Sequence, residues 1–305
     1  MRTYVIKRLL NALLTLFLIT LLTFFFLSLA KDPARMMAGP EASEQDLSVI
    51  RRELGLDQPV YLQYLLWLGR VVQADFGRSY VGKTDAINMV AERLPATLLL
   101  TFTAMGVALV LSIPLGMIAA VRRGSLIDAL VSALGVSGQA MPLFWFGIML
   151  IIVFAVHLRL FPVSGYGTAL HLVLPAVTLG VYTMPVLMRL TRSSFLDVLS
   201  QDYIRTAKAK GVPRHLVLFK HALRNAALPI VLMVGMQLGV LVGGAVVTET
   251  VFAWPGIGRL AVDSVVTGDF PVVQATVILL AAAIMFMNLL ADLVVAVIDP
   301  RIHFH

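Results

Sequence analysis

A chain of 305 residues that is 59% hydrophobic and only 13% charged, with a mean hydropathy of +0.90, lacks the polar surface of a water-soluble domain. It reads as an all-α polytopic membrane protein, so its net charge of +7 is a matter of topology, and nucleic acid is not expected as a partner. With no cysteine there is no disulfide framework or thiolate chemistry, and the six scattered histidines offer no structural metal site.

Six stretches reach the roughly 20 apolar residues that a spanning helix needs: residues 9–30, 95–121, 129–156, 170–188, 228–251 and 272–297. The first follows Arg2, Lys7 and Arg8 and ends in LSLAK. Its apolar core is longer than the roughly 7 to 15 residues of a signal peptide, so residues 1–30 are expected to stay as the first transmembrane helix. Arg122, Arg123, Arg189, Arg192, Arg301 and the six cations of residues 201–230 fall on the side of the N-terminus. The short loops opposite hold only Arg159 and Arg259, which predicts that both termini are cytoplasmic.

Residues 31–94 would then form an extracytoplasmic helical segment. SEQD, residues 43–46, is a helix start; Leu47, Ile50 and Leu54 follow at helical spacing, and Gly55 fits the stop. After Pro59 a second apolar stripe runs through Tyr61, Tyr64, Leu65, Leu68 and Val72. With Trp67 it suits either a membrane interface or packing on neighbouring helices. GRSYVGKT, residues 77–84, matches the phosphate-loop pattern at every position. A phosphate loop works between a buried strand and a helix, and VVQADF is no such strand. The segment is also too short for a nucleotide-binding domain, so a Gly-rich turn is expected.

The later spans are poor inert anchors. The fourth is short and broken by Pro175, Gly180 and Pro185, while Pro114 and Pro142 interrupt the second and third. Broken helices at membrane depth mark a transport route when they line a cavity. In the fifth span Gly235, Gly239 and Gly243, with Gly244 beside them, lay a smooth stripe on one face for helix contact or for a pathway. Asn288 and Asp292 share a face of the sixth, where a structural hydrogen bond is the expected role. Ser, His and Asp do not cluster at catalytic spacings, so no catalytic residue is expected and the chain is not read as an enzyme.

QDYIRTAKAKGVPRHLVLFKHALRNAALPI, residues 201–230, is a cytoplasmic basic loop with its own architecture. A short helix is expected over residues 201–210, with Ala207 and Gly211 presenting a low-relief face beside Arg205 and Lys208. Gly211 fits the helix stop and Pro213 the next start. Leu216, Phe219, Leu223 and Ala226 or Ala227 then form an apolar stripe, with Pro229 leading into the fifth span. Binding anionic lipid would not need the sharp turn, whereas docking on a protein would.

Several stretches resemble the permease subunits of bacterial ABC importers for dipeptides, oligopeptides and glutathione, over essentially the whole chain. They include YVIKRLL, DPARMMAGPEAS, LGLDQPVYLQYLLWLGRVVQADFGRS, RSSFLDVLSQDYIRTAKAKGV, KHALRNAALPI and VVTETVFAWPGIGRLAVDSV. DYIRTAKAKG with LRNAALPI looks like that family's EAA loop, with Arg205 where glutamate is usual and a longer gap from Gly211 to Pro229. The resemblance implies a type I importer permease fold of about six transmembrane helices in the bacterial cytoplasmic membrane. Residues 1–30 would be the first helix, 31–94 the outer segment, 95–298 the permease core with a coupling loop at 189–227, and 299–305 a cytoplasmic tail. Gln201, Asp202, Tyr203, Ile204, Arg205, Thr206, Ala207, Lys208, Ala209, Lys210 and Gly211 would form a coupling helix seated on a separate ATPase subunit.

The implied partners are a second homologous permease, two ATP-binding subunits and an extracytoplasmic substrate-binding protein. This chain would bind no cofactor, since ATP and magnesium would sit in the ATPases. Glu249, Phe252, Trp254, Pro255 and Gly256 would lie at an outer gate or binding-protein contact, with Glu249 facing a peptide amine or a cation, or else in an interfacial salt bridge. Two alternatives stand beside a peptide cargo. One is the same importer carrying a nickel chelate, opine or oligosaccharide; the other is an ion-coupled secondary transporter working alone.

Overall fold

The computed structural model describes residues 2–30, 34, 43–53 and 55–298. Residues 299–305, Leu54 and the Asp292 side chain lie outside that description. The chain is helical: α1 (Arg2–Ala30), α2 (Glu44–Glu53), α3 (Val60–Val71), α4 (Ala86–Val121), α5 (Leu126–Ala140) and α6 (Leu143–Leu150), which a π-helical stretch continues over Ile151–His157. Then follow α7 (Ala169–Leu199), α8 (Asp202–Ala209), α9 (Arg214–Val251), α10 (Ile257–Thr267) and α11 (Phe270–Ile298).

Five of these helices are long and apolar enough to cross a membrane, and six if α5 and α6 form one span bent by 103°. The bend falls at Met141 and Pro142, where proline caps the start of α6. The other prolines behave differently from the sequence expectation. α7 runs unbroken for 31 residues through Pro175 and Pro185, α4 through Pro114, and α9 through Pro229. Pro175 and Pro185 are buried, so the packing around α7 compensates for the two missing backbone donors.

The packing divides the chain into two compact units, Met1–Thr97 with Pro255–Met285, and Leu98–Trp254 with Phe286–His305. In the first, α2 starts at a capping box in which Ser43 Oγ accepts from the Asp46 amide (3.2 Å) and Asp46 Oδ2 accepts from the Ser43 amide (3.1 Å). It ends in a Schellman turn: Gly55, at φ +67°, donates to the Arg52 carbonyl, and Leu56 donates to Arg51. α3 buries Tyr64 and Trp67 in a core with Phe76, Val90, Ile257 and Val272. Of the apolar stripe that suited either a membrane interface or helix packing, Tyr61, Leu65 and Val72 face outward at 70%, 57% and 80% exposure. The buried arc is centred on Tyr64 and Trp67 because α1 meets α3 there: Thr20 Oγ1 hydrogen-bonds the Tyr64 hydroxyl at 3.0 Å, and Phe24 packs on both rings.

In the second unit, small residues bring α4 and α7 into backbone contact. A Cβ on Gly180 would lie 2.7 Å from the Ala104 carbonyl oxygen, and one on Gly116 would lie 2.7 Å from that of Met188. These contacts make α7 the helix around which the unit is built.

Candidate functional site

The basic loop folds as a helix pinned to its own chain. Gln201 caps α8 in extended conformation and its carbonyl accepts from Ile204 and Arg205. Ile204 is fully buried in a cluster with Met117, Phe195, Val217, Ala222 and Ala226. At the far end Gly211 takes φ +75°; its amide donates to Lys208 and that of Val212 to Ala207, a second Schellman turn. Asp202, Tyr203, Arg205, Thr206, Lys208, Ala209 and Lys210 are left exposed. Arg205 reaches back to Asp202 at 3.3 Å.

Two details differ from the sequence reading. Ala207 packs with Val212 against the chain's own cluster, so the low-relief face is Gly211 without Ala207. Leu216 and Phe219 are exposed (41% and 61%), while Val217, Ala222 and Ala226 are buried. The cause is the π-helical stretch Val217–Leu223, whose wider turn brings residues five apart onto one face. The sequence stripe assumes a period of 3.6, so it fails at Leu216 and Phe219 but holds beyond the stretch, where Leu223 and Ala226 pack on the cluster.

Next to this loop, Arg192 makes a two-pronged ion pair with Asp128, Nε to Oδ1 at 2.7 Å and Nη2 to Oδ2 at 2.8 Å, while the Gly124 amide donates to Oδ2 at 2.9 Å. It ties the start of α5 to the last turns of α7. The carboxylate is 9% exposed and the guanidinium 31%. Removing either group is expected to cost about 2 kcal/mol, and a thermal-unfolding cycle over Asp128→Asn, Arg192→Met and the double variant should show coupling of about 1 kcal/mol or more.

The motif expected at an outer gate is interior. Glu249, Phe252 and Trp254 are 0%, 2% and 1% exposed. The Trp254 amide turns back to the Glu249 carbonyl (2.8 Å), Phe252 rests on Gly147, and the Trp254 ring stacks edge-on with Tyr166 at 4.8 Å. The turn after α9 folds these side chains inward. In the other unit, Pro255 is half-buried and Gly256 caps α10, whose Ile257 amide donates to Thr97 Oγ1 at 2.9 Å.

The glycine stripe of α9 divides by position. Gly235 lies against Ala291, where an added Cβ would clash with that residue's Cβ at 2.1 Å. Gly239 is buried, but Gly243 is exposed with open space around it. Gly244 lines a cavity of about 440 Å³ with Gln139, Met141, Pro142, Tyr182 and Val247, at the break in the third span. Gln139 also accepts from Arg189 at 2.9 Å.

GRSYVGKT forms a turn closed by one isolated bridge, Arg78 to Asp85, and no buried strand precedes it. Its amides do hold an anion, and that anion belongs to the chain. Asp269 accepts from the Tyr80 amide at 3.0 Å, the Val81 amide at 3.4 Å and the Ser79 hydroxyl. The Gly82 amide completes the nest by donating to Ser79 Oγ at 2.7 Å. Burial pushes the Tyr80 phenol up to about 12, helped by the Asp269 charge and opposed by Arg70. Sequence reasoning missed Asp269; its one signal was an acid directly after the Gly268 that ends α10.

Residues 112–304 match the family described as the binding-protein-dependent transport system inner membrane component, and residues 1–101 match the family described as the N-terminal part of the membrane component of such systems. The chain is 46% identical, over all 305 residues and the full length of each relative, to the glutathione transport system permease protein GsiC of Escherichia coli strain K12 and of Shigella dysenteriae serotype 1. A chain of the methionine ABC transporter MetNI, in an inward-facing conformation, superposes with a TM-score of 0.61 at 20% identity, covering 69% of this chain and 96% of that one. The fold is thus that of an ABC importer permease, and the chain belongs to the inner membrane component family of binding-protein-dependent transport systems.

Proposed function

We propose that this chain forms part of the translocation pathway of an ATP-driven importer for glutathione or a similar short peptide, in the bacterial cytoplasmic membrane. The observation that carries the reading is its 46% identity, without truncation on either side, to a glutathione permease. Both termini and residues 189–227 face the cytoplasm, and residues 31–94 lie outside.

Residues Gln201 to Gly211, α8 with its two caps, form the coupling helix. Its cationic outer face meets a separate ATPase subunit, and the Ile204 anchor passes that subunit's motion into α4 and α7. A second, similar permease completes the pathway, two ATPases hold ATP and magnesium, and a soluble binding protein delivers the cargo. The cavity at the broken third span, with Gly244 at its edge, lies on the route. Pro255 and Gly256 contribute at the outer side, and Glu249, Phe252 and Trp254 support that region from within.

The complex reconstituted in lipid nanodiscs with its binding protein tests the cargo. Glutathione is expected to raise ATP hydrolysis several-fold, and nickel chelates or oligosaccharides to leave it at the basal rate. Stimulation by one of those solutes and not by glutathione would overturn the assignment.

A further inference from the structure

We propose that a cavity at the C-terminal end of α1 binds the phosphate of an anionic phospholipid, gripped by Arg52 and Arg70. The cavity holds about 540 Å³. Its polar wall is Arg52, Arg70, Gln58, Tyr80 and Gln274, and its apolar wall is Phe24, Leu27, Leu66 and Trp67.

Charge identifies the ligand class. The lining carries two guanidinium groups and no carboxylate. Among the described residues, neither arginine is within ion-pairing distance of an acid. Tyr80 stays a neutral phenol, so it adds a hydroxyl and no competing charge. Two planar forks lining one cavity suit the oxygens of a phosphodiester.

Position identifies the source. The apolar stretch Ile6–Ser28 has 23 residues, or about 34 Å at 1.5 Å per residue, close to the roughly 30 Å of a bilayer core. Ser28, which lines the cavity, therefore sits at the headgroup level. Trp67, which also lines the cavity, is a residue type enriched at that depth. The apolar wall continues onto the flank of α1, where Leu22, Phe25 and Phe26 are 53%, 51% and 64% exposed. Acyl chains can leave along Leu27 and Leu66 onto this flank, which a free phosphate or a peptide carboxylate would not need.

The full chain, purified in mild detergent and delipidated, is titrated with phosphatidylglycerol, phosphatidylcholine, inorganic phosphate and glutathione. Retained lipid is counted by native mass spectrometry. Phosphatidylglycerol is expected to bind at one molecule per chain, more tightly than phosphatidylcholine. The R52Q/R70Q variant should lose about tenfold in affinity, and R52K/R70K should lie between, since lysine keeps the charge without the fork. Both arginines are exposed, so the fold should survive, as a far-UV spectrum checks. Undiminished lipid retention by R52Q/R70Q overturns the site. Equal binding of both lipids overturns its selectivity, and displacement of lipid by glutathione or inorganic phosphate would reassign the cavity to soluble anions.

Discussion

Asp269→Ala is expected to destabilise the chain by about 3 kcal/mol, whereas Lys83→Ala changes it by less than about 0.5 kcal/mol. The contrast follows from who holds the anion in the glycine-rich loop. Asp269 is 3% exposed and receives the amides of Tyr80 and Val81 and the hydroxyl of Ser79, which is itself 2% exposed. Removing the carboxylate leaves these donors without an acceptor, and each charge-assisted bond lost is worth roughly 1.5 to 3 kcal/mol, partly offset by relaxation and water. Asp269→Asn keeps one acceptor oxygen and should lose about half as much. Lys83 would be the phosphate-gripping residue of a nucleotide loop, yet it is exposed on the turn. Unfolding midpoints in detergent, with and without ATP, decide the matter. ATP protection of the isolated chain that disappears in Lys83→Ala would restore the nucleotide loop.

Gly211→Val is expected to cut binding-protein-stimulated ATP hydrolysis and uptake by about tenfold while leaving the chain inserted in the membrane. The reason is backbone geometry more than surface relief. At φ +75° a β-branched residue is strained by roughly 1 to 3 kcal/mol, and relieving that strain breaks the turn that joins α8 to α9. The helix would then keep its Ile204 anchor but lose the fixed angle of its outer face. Ile204→Ala should have a related effect from the other side. It empties a fully buried site, costing about 2 to 5 kcal/mol locally, and loosens α8 from α4 and α7. Lys220→Ala, on the exposed side of the π-helical stretch, is the matched control and should leave coupling unchanged. Normal uptake in both Gly211→Val and Ile204→Ala would falsify the coupling role of α8.

Much of the molecule was legible before any coordinates. Composition required a membrane protein, and the apolar runs marked the spans, since a bilayer needs a minimum apolar length. The stops at Gly55 and Gly211 were readable because a left-handed helix terminus favours glycine locally. Local signals failed where distant residues decide. Pro175 and Pro185 look like breakers, but α7 continues through them where they are buried against neighbouring helices. Leu216 and Phe219 look like a packing stripe, but a change of helical period turns Val217 and Ala222 inward instead.

The sequence by itself determined the solvent this protein lives in, its helical class, and the places of its long apolar helices and of the basic helix α8. These follow from hydrophobicity, helix periodicity and glycine stereochemistry, which act over a few residues. Only the tertiary structure decided that Asp269 fills the loop resembling a nucleotide site, 190 residues away in the chain. It alone paired Arg192 with Asp128, turned Glu249 inward, and gathered Arg52 and Arg70 around one cavity. Charges and amides far apart in sequence find each other through packing, because a buried polar group must be satisfied by whatever partner the fold brings to it.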